Sequence, residues 1–223
     1  MIIKGNLDLG DSSIESLGNI KQIKGYLDLR DECKTLKDLG NIKYIKELRI
    51  GIVSDSFKIT NLKVIKGDLY LTNSNLKSLG SIKFIQGDCQ ASGSSLKVFG
   101  ENLIAVSGDI ILAYSHELKT FGKSFKKCYG NLSLTKCGSL ENLGNIESVG
   151  RTLNLIGCKS LTSLNQLKYA DKIYIEDCPL LKTLPKDLKV SKNIYIKNSG
   201  ITKEYMKKEK PDLFESCIWD HWF

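Results

Sequence analysis

Histidine is nearly missing from this chain of 223 residues: two occur, beside three arginines, three prolines and two tryptophans. So little imidazole leaves few ways to build a proton relay or a histidine-based metal centre. No HExxH, no glycine-rich phosphate loop, no paired acid motif and no CxxC is present. The usual sequence marks of metalloproteases, nucleotide-binding enzymes and zinc modules are therefore lacking. The chain is expected to be no enzyme and to need neither cofactor nor metal. Long apolar runs are missing too; none approaches the roughly 18 residues of a membrane-spanning helix. The opening MIIKGNLDLG already belongs to the pattern described next, so no secretory signal is expected, and neither is a membrane partner. A cytoplasmic location follows as the expectation. With no Gly/Ser linker, nothing divides the chain into separate globular units.

What is there is repetition. GNLDLGDSSIESLGNIKQI at residues 5–23 returns as GDLYLTNSNLKSLGSIKFI at 67–85. Taking the residue two before the glycine as a marker gives Ile3, Ile23, Ile45, Ile65, Ile85, Val106, Cys128, Val149, Ala170 and Ser191. The spacings are 20, 22, 20, 20, 21, 22, 21, 21 and 21 residues, the mark of a solenoid whose coils contact only their neighbours. Within a coil the apolar period changes. Leu69 and Leu71 alternate as a strand does, whereas Leu76, Leu79, Ile82 and Ile85 come every three residues, which suits a 3₁₀ or extended return arc. Gly18, Gly40, Gly80, Gly100, Gly122 and Gly144 mark one corner, with Asn61, Asn165 and Pro185 in the same slot elsewhere. Gly5, Gly25, Gly67, Gly87, Gly108 and Gly130 mark another, just before the strand.

LYLTNSNLKSL and LNLIGCKSLTSL resemble the core of a leucine-rich repeat, and the I-x-G-x-L-x-L approach to the strand is closer to the short irregular repeats of receptor L domains. It departs from the standard leucine-rich spacing by one residue. The resemblance implies an α/β-type repeat solenoid dominated by β structure: a right-handed coil with one parallel sheet of about ten short strands and mostly 3₁₀ or irregular return arcs. It also implies a sheet face that binds macromolecules, and it brings no catalytic residue. Residues 1–201 are expected to form the solenoid and residues 202–223 a helical and aromatic cap or tail.

The seven cysteines do not read as disulfides. Cys137, Cys158 and Cys178 share a slot with Ser12, Ser74, Ser94, Ser115 and Ser199, so small buried fillers are expected, with a redox-sensitive ladder as the other reading. Two surface rows carry the candidate sites. Glu47, Asp68, Asp88 and Asp109 stack carboxylates in four consecutive coils. They either bond neighbouring backbone N–H groups or hold a basic partner or a divalent cation. Tyr70, Tyr174 and Tyr195 point outward from the strands, and Trp219, Trp222 and Phe223 end the chain. Together these ten residues are the expected partner-binding set, for a protein partner. Leu213, Phe214, Ile218 and Trp219 at helical spacing are expected to cover the last coil.

The net charge of +8 supports a second reading. Lys37, Lys58, Lys77, Lys97 and Lys119 line up along the arcs as a candidate nucleic-acid stripe. Lys21, Lys43, Lys63 and Lys83 form a second row, and Lys4, Lys24, Lys46 and Lys66 a third. Aromatics are not read as interleaved with these lysines, and arginine is scarce, which argues against base reading. Coil one lacks an N-terminal cap, so a homodimer through its open edge strand is expected as well. A small free-standing array suits an inhibitor or adaptor, including a phage- or pathogen-encoded antagonist of a host complex.

Overall fold

The computed structural model describes residues 1–219. Their backbone winds as a right-handed parallel β-solenoid of about ten turns, with only 5% helix. Each coil gives the sheet two short strands. The first ladder joins Ile2–Ile3, Val64–Ile65, Phe84–Ile85 and Ala105–Val106. The second joins Leu7–Asp8, Leu69–Tyr70, Cys89–Gln90 and Ile110–Ile111. In Gln22–Leu29 and Tyr44–Ile50 one strand runs through both ladders, uniting them in a 19-stranded sheet. The expected strand row is the second ladder; the marker residues themselves form the first. The tenth marker is Val190 rather than Ser191, because Ala170 pairs with Val190 and the chain then bulges before Ile194.

The crease between the ladders explains its glycine row. A Cβ at Gly87 would fall on Asp68 Oδ1 and the backbone of Gly67, and one at Gly108 would fall on Asp88 Oδ1 and the backbone of Gly87. Only a residue without a side chain admits its neighbour so closely. The arc corner uses glycine differently. Gly18, Gly40, Gly80, Gly100 and Gly144 have positive φ, as does Asn165. Asn61 is not among them: coil three is one residue shorter there, and Asn61 donates from Nδ2 to Gly40 O at 2.7 Å. A further column after the second ladder also turns left-handed, at Asp11, Asn73, Gly93, Tyr114, Lys136, Gly157, Asp177 and Asn198.

The arcs are turns and extended pieces, and no 3₁₀ helix occurs among the described residues. A short third ladder pairs Val98–Phe99 with Thr120–Phe121. Three inward columns fill the core from the arc side, and the sheet closes it from the other. From coil two onward both expected arc columns are buried, as is a third running Ile42, Leu62, Ile82, Leu103, Phe125, Ile146 and Leu167. Coil five, whose strand carries only Cys89 and Ala91 inward, recovers volume with Phe99, which meets Phe121 and Phe125 edge-on at 5.4 and 5.7 Å.

All seven cysteines are free thiols, six of them buried. Cys137, Cys158 and Cys178 each donate from Sγ to a carbonyl of the preceding coil, at 3.0, 3.1 and 2.9 Å. Ser74 and Ser115 do the same with Oγ. The slot is a row of small buried donors. Burial pushes the Cys137 thiol up to about 12, which leaves it little thiolate for redox chemistry.

The C-terminal segment closes one end. Helix α1, Lys203–Glu209, starts at Thr202, whose hydroxyl accepts from the Tyr205 N–H. Helix α2, Pro211–Phe214, follows, and Cys217–Trp219 then adds a strand to Ile194–Ser199. Leu213 is buried as expected of a cap. Ile218 and Trp219 cover the last coil from a strand, not from a helix: the chain leaves α2 at Glu215 and spends its backbone bonds on the open edge. Among the described residues nothing covers the opposite end in this way. Leu36, one coil in, is fully buried, whereas its counterpart Ile14 is 37% exposed.

Candidate binding surfaces

The carboxylate row faces its own backbone. Asp68 Oδ1 accepts the Asp88 N–H at 2.7 Å, Asp88 Oδ1 the Asp109 N–H at 2.8 Å, and Asp109 Oδ1 the Asn131 N–H at 2.7 Å. Asn6 and Asn131 make the same bond with their amide oxygens, to Tyr26 and Thr152. At these positions an acceptor suffices and a charge is not needed, since the bond closes the N–H that the crease frees. Glu47, longer by a methylene, instead takes the Arg49 Nε at 2.5 Å. Among the described residues no group of three or more His, Cys, Asp or Glu side chains is placed to hold a metal ion.

Coils two to four carry a closed charge network on the outward face of the second ladder. Asp28, nearly buried, receives Arg30 Nη2 at 2.7 Å and Nε at 2.9 Å, and Arg49 Nη1 at 3.4 Å. Burial works against its charge, but Arg30 and Arg49 outweigh that and hold its carboxyl below the ordinary range. The Arg49 guanidinium lies 4.3 Å over the Tyr26 ring and 5.7 Å from that of Tyr70, and Tyr70 donates its hydroxyl to Asp68 Oδ2. At the other end of the same column Tyr174 and Tyr195 stack with ring centres 4.5 Å apart and planes 2° from parallel. Between the two groups Ile111 stands 37% exposed.

Trp219 belongs elsewhere. It pairs in register with the inward Ile196 and packs against the core, with Lys203 Nζ 5.6 Å from its ring centre. Trp222 and Phe223 lie outside the described residues.

The arc lysines are largely occupied. Lys37, Lys77 and Lys119 lie 2.6, 3.5 and 3.9 Å from Glu15, Glu117 and Glu141. Lys58 and Lys77 flank a cleft of about 390 Å³ lined by Val53, Phe57, Ile59 and Leu76, opened where the coil-three arc is short.

A different strip was missed in the sequence. The residue just before each marker points outward from the first ladder, and its register places Ile2, Gln22, Tyr44, Val64 and Phe84 in one column. Tyr44 is 46% and Phe84 39% exposed. The rows on either side are Lys21, Lys43, Lys63, Lys83 and Lys4, Lys24, Lys46, Lys66, all exposed. Aromatics therefore do interleave with these lysines, contrary to the sequence reading. The signal was legible in KYIK and KFI, once the marker is recognised as a strand residue with an outward neighbour.

A comparison with protein-family models gives no match, and neither does one with curated proteins.

Proposed function

We propose that the chain is a non-enzymatic protein-binding scaffold, a leucine-rich-repeat-like array acting in the cytoplasm as an inhibitor or adaptor. An antagonist of a host complex, encoded by a phage or pathogen, is one form of that role. The observation that supports it is the contrast between columns. Inward positions repeat the same few apolar residues through ten coils, while the outward column of the second ladder reads Asp28, Arg49, Tyr70, Gln90, Ile111, Ser133, Asn154, Tyr174 and Tyr195. Burying the core requires the first pattern and does not dictate the second. A rigid row of dissimilar side chains, with exposed Ile111 between an Arg–Tyr cluster and a tyrosine stack, is the composition of an interface with aromatic and arginine anchors.

The test is affinity capture of the tagged chain from its native cell or host lysate, with nuclease. The parent is compared with Ile111→Asp and with a Tyr174→Ala/Tyr195→Ala double variant. A stoichiometric protein retained by the parent and lost from both variants is the expected result. Equal retention by all three would move the interface off this face.

A further inference from the structure

We propose that the outward face of the first ladder in coils one to five is a site for single-stranded nucleic acid, read without base sequence. It lies on a different wall from the surface assigned above and does not depend on it.

Three observations converge there. First, none of the eight lysines flanking the column forms an ion pair among the described residues. Elsewhere Lys126 and Lys168 pair with Glu147, Lys192 with Asp171 and Lys197 with Glu176. The amino-acid count makes the C-terminal half the more basic, with 18 basic groups against 12 acidic, compared with 15 against 13 in residues 1–110. Among the lysines of residues 1–110, those in no ion pair are these eight and, on the arcs, Lys58 and Lys97, so unpaired charge in that half gathers on this strip. Secondly, the column between the lysine rows is mostly apolar, Gln22 apart, and carries two exposed rings. Thirdly, the surface is hollow there, with about 430 Å³ bounded by Gln22, Ile23, Lys24, Tyr44, Lys46 and Lys66.

The backbone fixes this spacing. Lys43, Lys63 and Lys83 donate their N–H groups to the carbonyls of Lys21, Lys43 and Lys63, so the row rises one strand spacing per coil, about 4.8 Å. Tyr44 and Phe84, two coils apart, stand about 10 Å from each other along the axis. Such a strip offers ammonium groups to phosphates on both flanks and ring faces to bases along its middle. Ring faces meet bases only where the bases are unpaired, which selects a single strand over a duplex. Lysine is a point charge without the planar fork of arginine, so it tracks phosphate without reading base edges. An apolar column one side chain wide is too narrow to seat in a lipid surface.

The experiment is fluorescence anisotropy with a labelled mixed-sequence DNA single strand of about 15 nucleotides, from 50 to 200 mM salt. Lys43→Glu/Lys63→Glu/Lys66→Glu should lower affinity at least tenfold and flatten the slope of log K against log salt by about 2. Tyr44→Ala/Phe84→Ala should lower affinity at least fivefold with the slope unchanged. Lys58→Glu/Lys97→Glu, on the arcs, should stay within twofold of the parent. All these positions lie on the surface, and matching thermal melts establish that each variant is folded. The proposal is overturned by no binding at 50 mM salt, by an arc variant as impaired as the strip variant, or by a ring variant that binds normally. Tighter binding to the matching duplex, to phosphatidylserine vesicles or to polyglutamate would overturn it equally and name the occupant instead.

Discussion

Asp88 does two things with one side chain: its Oδ1 caps the Asp109 N–H, and it fills the space left by the missing side chain of Gly108. Asp88→Asn keeps the acceptor and should leave stability within about 0.5 kcal/mol of the parent. Asp88→Ala strands a part-buried donor and should cost about 1 kcal/mol. Urea midpoints decide it: an Asn variant as damaged as Ala, with a parent that divalent cations stabilise, would make the column an ion site after all. Asp28 gives a residue-scale test in pH. Its carboxyl titrates below the ordinary range in the folded chain, so its contribution is present above the unfolded value and is lost as pH falls through the lower native one. Asp28→Asn should therefore lower the urea midpoint at pH 7, and the gap from the parent should close as pH falls through the lowered native value. A gap independent of pH would mean that the network stabilises through shape and not charge.

At the scale of elements, the C-terminal segment shows why the array ends where it does. Lys210 sits between α1 and α2, 5% exposed, and its Nζ donates to Pro185 O at 2.6 Å and Lys186 O at 2.5 Å. A buried ammonium is tolerable only with such acceptors. It ties the two helices to the arc of the coil before, so that Cys217–Trp219 can reach the sheet edge. Lys210→Met should cost about 2–3 kcal/mol by leaving both carbonyls unpaired, and amide exchange at Ser216 to Trp219 should accelerate before that of the coils beneath. Uniform acceleration through the array would instead make the segment part of one cooperative unit. The helical spacing of Leu213, Phe214, Ile218 and Trp219 misled here because an unpaired strand edge outweighs the local preference of four apolar residues.

For the whole molecule, the two ends differ. The first coil pairs only upward, Ile2–Ile3 and Leu7–Asp8 each having one neighbour, while the last is covered. Hydrogen exchange should be fastest at Leu9 and Asp11 and fall steeply by Leu27 and Leu29, the fraying of a one-dimensional array from the coil with one neighbour. Self-pairing through this edge is proposed as the means of covering it. That reading requires a concentration-dependent dimer in sedimentation, weakened by Ile14→Lys; a monomer at every concentration would refute it.

The repeat length, the inward columns, the glycine corners and the β-dominated coil were legible in the sequence alone, because each is set by a period that every coil must obey in order to bury its leucines. Only the tertiary structure decided which charges are spent. Asp68, Asp88 and Asp109 resemble a binding row until the N–H groups one coil away are in place, and Lys37, Lys77 and Lys119 resemble a bare stripe until Glu15, Glu117 and Glu141 fold beside them. Tyr44 and Phe84, each written as one residue among many, become a surface only when stacking sets them in one column between unpaired lysines. Hydrogen bonds and ion pairs between coils join residues about 20 apart, and local sequence carries no record of which side chain will meet which.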